Sequence, residues 1–194
     1  SGIQFTNTVT DEKDNNIFKY RNFYNGGGVG IGDINNDGLS DVYLTANMTE
    51  NKLYLNKGDF KFEDISVKSG VQGKKAWSTG VVMVDVNGDG FLDIYVLDAG
   101  NNIDAVRKSQ LYINNGNSTF TDKAAEYNLA DTGITTHAAF FDYDKDGDLD
   151  ILIFSHHQSV SPKPRALINN GSGEFSYSDF GNTKYPNWDS NSAL

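Results

Sequence analysis

The chain has 194 residues, 38% of them hydrophobic and 12% aromatic, and a net charge of −10. No apolar run approaches the roughly 20 residues of a membrane-spanning helix, and the acidic balance argues against nucleic acid as a partner. Twenty glycines, twelve phenylalanines and ten tyrosines favour a turn-rich all-β protein over a helical one, and the absence of cysteine rules out disulfides.

Residues 1–28 form a lead-in. The alternation in Ile3-Gln-Phe5-Thr predicts a strand that pairs at an outer position elsewhere in the fold, and Gly26-Gly-Gly28 gives a flexible entry to the first inner strand. The start at Ser1, in polar and strand-like sequence, reads as a mature chain or as a piece of a longer one.

From Val29 onward a unit of about 55 residues repeats, and each copy predicts four short strands. The first strands are Val29-Gly-Ile-Gly32, Gly80-Val-Val-Met-Val84 and His137-Ala-Ala-Phe-Phe141, whose small and apolar residues predict burial on both faces. An acidic loop follows each of them. The second strands are Val42-Tyr-Leu-Thr45, Ile94-Tyr-Val-Leu97 and Ile151-Leu-Ile-Phe154. The third end in Leu53-Tyr-Leu-Asn-Lys-Gly58, Leu111-Tyr-Ile-Asn-Asn-Gly116 and Ala166-Leu-Ile-Asn-Asn-Gly171, where Asn and Gly signal a hairpin turn. Aromatic-rich runs around Phe62, Phe120 and Phe175 supply the fourth.

Four strands per period is the arithmetic of a β-propeller blade. The expected divisions are blade 1 at 29–76, blade 2 at 77–134 and blade 3 at 135–187, with polar connections between them and one helical turn at Ala124–Tyr127. Trp188-Asp-Ser-Asn-Ser-Ala-Leu194 resembles Trp77-Ser-Thr-Gly-Val-Val82, so 188–194 is expected to open a fourth blade. Propellers close with about four to eight blades, so three imply a larger ring.

The acidic loops are Asp33-Ile-Asn35-Asn-Asp37-Gly-Leu39-Ser-Asp41, Asp85-Val-Asn87-Gly-Asp89-Gly-Phe91-Leu-Asp93 and Asp142-Tyr-Asp144-Lys-Asp146-Gly-Asp148-Leu-Asp150. Together they hold eleven of the 26 acidic residues, a repulsive arrangement unless a cation sits among them. Side-chain oxygens at positions 1, 3, 5 and 9, a main-chain carbonyl at position 7 (Leu39, Phe91, Asp148) and a glycine turn at position 6 suit calcium, which takes about six to eight oxygens. Three such ions would bring the net charge to about −4. The EF-hand is excluded, because its bidentate Glu at position 12 is replaced by Leu44, Val96 and Ile153. Each ion would instead clamp two strands, a structural role.

Other motifs have simpler readings. Gly28-Val-Gly30-Ile-Gly32 is followed by a loop and a strand, not by the helix a dinucleotide fingerprint requires. Adjacent His156 and His157 point to opposite faces of a strand and do not form one site. Trp77 and Trp188 are expected to pack between blades rather than stack on sugars. No nucleophile–base or zinc-ligand spacing stands out.

These residues resemble the FG-GAP/VCBS-type repeat β-propellers, which include the calcium-bearing blades of integrin α subunits and cartilage-acidic-protein-like secreted proteins. The three loops match the family's Asp-x-Asp/Asn-x-Asp-Gly-x-x-Asp pattern, and Leu53–Gly58 matches its third strand. Tyr24–Asp33 is most similar to the opening blade of bacterial surface members. The Phe-Gly and Gly-Ala-Pro signatures of integrin repeats are missing, so integrin-like ligand binding is not implied. The resemblance implies a ring of about seven blades, an extracellular or cell-surface location, further blades of a parent chain, and a protein or glycan ligand. The expected function is a calcium-stabilised binding, adhesion or scaffolding module. The alternative is a lyase-like polysaccharide-processing enzyme, with His137 or Tyr143 as base beside an open calcium.

Overall fold

The computed structural model describes residues 1–74, 77–99, 108–156 and 163–178. They form three four-stranded antiparallel sheets. The first contains β1 (Val29–Gly32), β2 (Asp41–Leu44), β3 (Lys52–Asn56) and β4 (Phe62–Asp64). The second contains β5 (Ser78–Val84), β6 (Asp93–Asp98), β7 (Gln110–Asn114) and β8 (Phe120–Asp122). The third contains β9 (Ile134–Phe141), β10 (Asp150–His156), β11 (Lys163–Asn169) and β12 (Phe175–Ser178). In each sheet spatial order follows chain order, the meander expected of a propeller blade. His157, Trp188 and the expected opening of a fourth blade at 188–194 lie outside the described residues.

The sheets stack face to face through two apolar layers. Tyr43, Leu53, Ile65 and Val71 of the first sheet and its following turn meet Ile94, Val96 and Tyr112 of the second. The opposite face of the second sheet, with Tyr95, Leu97 and Leu111, meets Ala138, Ile151, Ile153 and Phe175 of the third. The middle sheet is therefore covered on both sides, and every residue of β6 and β7 is buried.

The first strands are less buried than expected: β5 of the middle sheet is covered on both sides but mostly only half-buried, and β1 and β9 each leave residues exposed. In β1 the glycines face β5, while Val29 and Ile31 point away from it and are 60% and 66% exposed. The glycines are needed for the close approach. A Cβ on Gly32 would lie 2.6 Å from Leu92 Cδ1, and one on Gly80 of β5 would overlap the Thr136 carbonyl oxygen of β9. The Gly28–Gly32 run is thus explained by packing between sheets.

The connections after the first two sheets share one design. The first is a helical turn, α1 (Ser66–Ser69), where a polar connection was expected. The second, expected as a helical turn, closes the same way: Ser69 N–H donates to the Ile65 carbonyl in one, and Tyr127 N–H to the Lys123 carbonyl in the other. Gly70 and Asn128 then adopt left-handed φ values of 76° and 58°. Each turn drops an aliphatic residue, Val71 or Leu129, into the core. The hydroxyls of Tyr43 and Tyr95 donate to the carbonyls of those two residues.

The lead-in differs from its expected role. Residues 3–6 form no strand; the segment docks on the first sheet instead. The Tyr54 hydroxyl donates to the Gln4 carbonyl (2.6 Å), and Phe62 N–H donates to the Ser1 carbonyl (2.7 Å). Farther on, Tyr20 and Phe23 pack on Trp77, with ring centroids 5.8 Å and 4.9 Å away. Trp77 is buried against this lead-in, so its ring is not available to a sugar.

Candidate metal centres

All three acidic loops run from the residue after one strand to the first residue of the next: Asp33 to Asp41, Asp85 to Asp93, and Asp142 to Asp150. Two left-handed residues curl each loop. Position 4 (Asn36, Gly88, Lys145) has φ of 58°, 71° and 67°, and the glycine at position 6 (Gly38, Gly90, Gly147) has φ of 85°, 90° and 98°. Glycine is the residue that reaches such angles without steric cost.

The curl turns backbone donors onto the position 1 carboxylate. Asp33 accepts from the N–H groups of Asn35, Asp37 and Gly38, the last at 2.7 Å. Asp85 accepts from Asp89 and Gly90, and Asp142 from Lys145 and Gly147. Partial burial pushes the Asp33 carboxyl up, but the N–H groups of Gly38, Asp37, Asn35 and Asn36 together hold it below its ordinary value. Position 5 is fixed by the N–H of position 7, from Leu39 to Asp37, from Phe91 to Asp89 and from Asp148 to Asp146, at 2.8 to 2.9 Å.

Position 9 has a different environment, being fully buried in all three loops. One oxygen of each carboxylate accepts from the N–H of position 2: Ile34 to Asp41, Val86 to Asp93 and Tyr143 to Asp150. The other oxygen accepts from the N–H of the asparagine that ends the third strand: Asn56, Asn114 and Asn169, each at 2.8 Å. A single carboxylate thus joins the loop, the second strand and the third. Burial pushes the Asp93 carboxyl up to about 6 against the opposing effect of these two donors, and Asp41 is raised for the same reason.

Sequence reasoning missed those asparagines as part of the site. Their side chains close the hairpin turn as expected, accepting from the N–H groups of Gly58, Gly116 and Gly171. They also donate to the position 8 carbonyls of Ser40, Leu92 and Leu149. The signal was present in the sequence, as an asparagine in the same place in all three third strands.

The third loop is chemically distinct. In the first two, the position 3 amide donates to the position 5 carboxylate: Asn35 to Asp37 at 3.0 Å and Asn87 to Asp89 at 2.9 Å. Asp144 replaces that amide with a third carboxylate, and one oxygen from each of Asp142, Asp144 and Asp146 lies within 4.8 Å of the other two. Lost hydration, followed by the charge of Asp146, raises the Asp144 carboxyl. Oxygens bound at about 2.3–2.6 Å to one ion are separated by at most about 5 Å, so the spacing fits a shared calcium. The donors are all hard oxygens, which disfavours zinc or copper.

His137 and Tyr143, the bases named for an enzyme reading, sit on the exposed side of the third sheet. The His137 ring lies 6.2 Å from Phe154, and the Tyr143 ring packs edge-on against Phe141 at 6.1 Å.

Comparison with known proteins gives the same repeat. The FG-GAP-like repeat family matches residues 33–96 and 99–153, more than half of the chain. The chain is 33% identical to cartilage acidic protein 1 of Xenopus tropicalis over 133 residues, which is 68% of this chain and 20% of that protein. It is 36% identical to the human cartilage acidic protein 1 over 72 residues, 37% of this chain and 11% of that protein. It therefore spans about a fifth of the frog relative's length. With its matched stretch beginning at the first residue of the first acidic loop, the chain belongs to the FG-GAP-like repeat family.

Proposed function

We propose that this chain is a calcium-binding FG-GAP repeat module of a secreted or cell-surface protein, that it works in ligand binding, adhesion or scaffolding, and that its calcium is structural. Asp33, Asn35, Asp37 and Asp41 would hold one ion with the Leu39 carbonyl. Asp85, Asn87, Asp89 and Asp93 with the Phe91 carbonyl would hold a second. Asp142, Asp144, Asp146 and Asp150 with the Asp148 carbonyl would hold a third. The observation that carries the reading is the threefold recurrence of one cage: donors turned onto position 1, and a buried position 9 that already ties three elements together. A cation supplies the positive charge that the clustered carboxylates lack.

The reading fits an extracellular setting, where the free ion is plentiful and modules bind calcium at about 10⁻⁴–10⁻³ M. No helix among the described residues is long and apolar enough to cross a membrane. The exposed Val29 and Ile31 of β1, with Phe141 and Phe154 on the far side of the third sheet, suit the packing of further blades in a ring. A ligand surface would then draw on loops of several blades.

Thermal unfolding of Asp142→Ala tests the structural role. In calcium the variant is expected to melt several degrees below the parent, and after chelation the gap is expected to shrink. Equal melting of the two proteins in calcium would remove the clamp.

A further inference from the structure

Two asparagine side chains tie the first acidic loop to the second. Asn36, position 4 of the first loop, donates from Nδ2 to the carbonyl of Gly90, position 6 of the second, at 2.9 Å. Asn114, at the end of β7, donates from Nδ2 to the carbonyl of Ile34, position 2 of the first loop, at 2.8 Å.

The second contact is one link in a longer relay. Asn114 N–H donates to Asp93, which closes the second loop, and Ile34 N–H donates to Asp41, which closes the first. All four residues are buried. Hydrogen bonds therefore connect the position 9 carboxylates of neighbouring loops without passing through solvent.

The corresponding residues of the second and third loops differ. Position 4 of the second loop is Gly88, which has no side chain with which to reach forward. Asn169 turns its amide to Leu149 within its own blade, as Asn56 does to Ser40.

We propose that the first and second loops bind calcium cooperatively and that the third binds independently. This rests on the calcium reading above. An ion in the second loop fixes Asp93, and through it Asn114, Ile34 and Asp41. It also fixes the Gly90 carbonyl that holds Asn36. The first loop then has less freedom to lose when its own ion arrives, which is positive coupling. Linkage makes the effect reciprocal, and a coupling of this kind changes affinity by roughly five- to tenfold. Partly satisfied buried networks are costly, which favours both loops ordered over one.

The test is a calcium titration of the chelator-stripped 194-residue chain, followed by the NMR amide signals of Gly38, Gly90 and Gly147. Each of those N–H groups donates to its own loop's position 1 carboxylate, so each reports its own loop. The Gly38 and Gly90 signals are expected to move together along a curve steeper than single-site binding, and Gly147 to follow a single-site curve. Asp85→Ala is expected to weaken the Gly38 response roughly five- to tenfold. Asn36→Gly, at an exposed position whose φ of 58° glycine adopts freely, is expected to flatten the shared curve. Single-site curves at Gly38 and Gly90, an unmoved Gly38 response in Asp85→Ala, or unchanged steepness in Asn36→Gly would each overturn the cooperativity while calcium binding stands. No calcium response at any of the three glycines would overturn the calcium reading and the cooperativity with it.

Discussion

Asp93 shows how one residue serves both fold and site. Its carboxylate is buried, accepts two backbone N–H bonds and lies near Asp85 and Asp89. Replacing it with alanine leaves the N–H groups of Val86 and Asn114 unpaired, at about 1–3 kcal/mol each. Chemical denaturation of chelator-treated protein is thus expected to find Asp93→Ala about 3 kcal/mol less stable than the parent. The pH dependence has a definite sign. The folded value of about 6 lies above the ordinary carboxylate value, so the native state binds the proton more tightly than the unfolded chain. In calcium-stripped protein this group's contribution is fully present below about pH 4 and is lost as pH rises through about 6. The stability of the parent relative to Asp93→Asn should therefore fall between about pH 4 and pH 6 without calcium. A rise over that interval would contradict the assignment. Calcium favours the carboxylate and should reverse the trend.

At the scale of elements, the asparagine at the end of each third strand sets the registry between hairpin and loop. Asn114 is the most committed of the three, bonding to Ile34, Leu92 and Gly116 as well as to Asp93. Asn114→Ala is expected to cost about 2–3 kcal/mol and Asn56→Ala less, because Asn56 is only half-buried and, among the described residues, bonds to no neighbouring blade's loop. Urea midpoints of the two variants give the ranking. Gly80→Ala places a methyl group against the Thr136 carbonyl between β5 and β9 and should cost roughly 1–3 kcal/mol through overpacking.

Much of this level was legible in the sequence. Strand number, order and loop positions followed from the repeat, because the Asp-rich loops and the Asn-x-Gly turns are local signals that mark strand ends. Contacts between blades were harder to read. Whether Val29 and Ile31 are covered depends on a neighbouring sheet, and periodicity within one strand carries no information about that neighbour. The same limit hid the docking of residues 1–7 on the first sheet and the reach of Asn36 to Gly90, since both are contacts between segments far apart in the chain.

At the scale of the molecule, the three sheets form a stack with an apolar face at each end. Ile31→Glu should change the stability of this chain by no more than about 0.5 kcal/mol, because the side chain meets water here. In a longer segment carrying the blade that would pack against β1, the same change should be strongly destabilising; equal tolerance in both would argue against a ring. Calorimetric titration of chelator-stripped protein with calcium tests whether the three acidic loops are calcium clamps. About three ions bound per chain, together with a melting temperature that rises with calcium concentration, is the predicted result. Absence of binding at millimolar calcium, with the melting temperature unchanged, would contradict it.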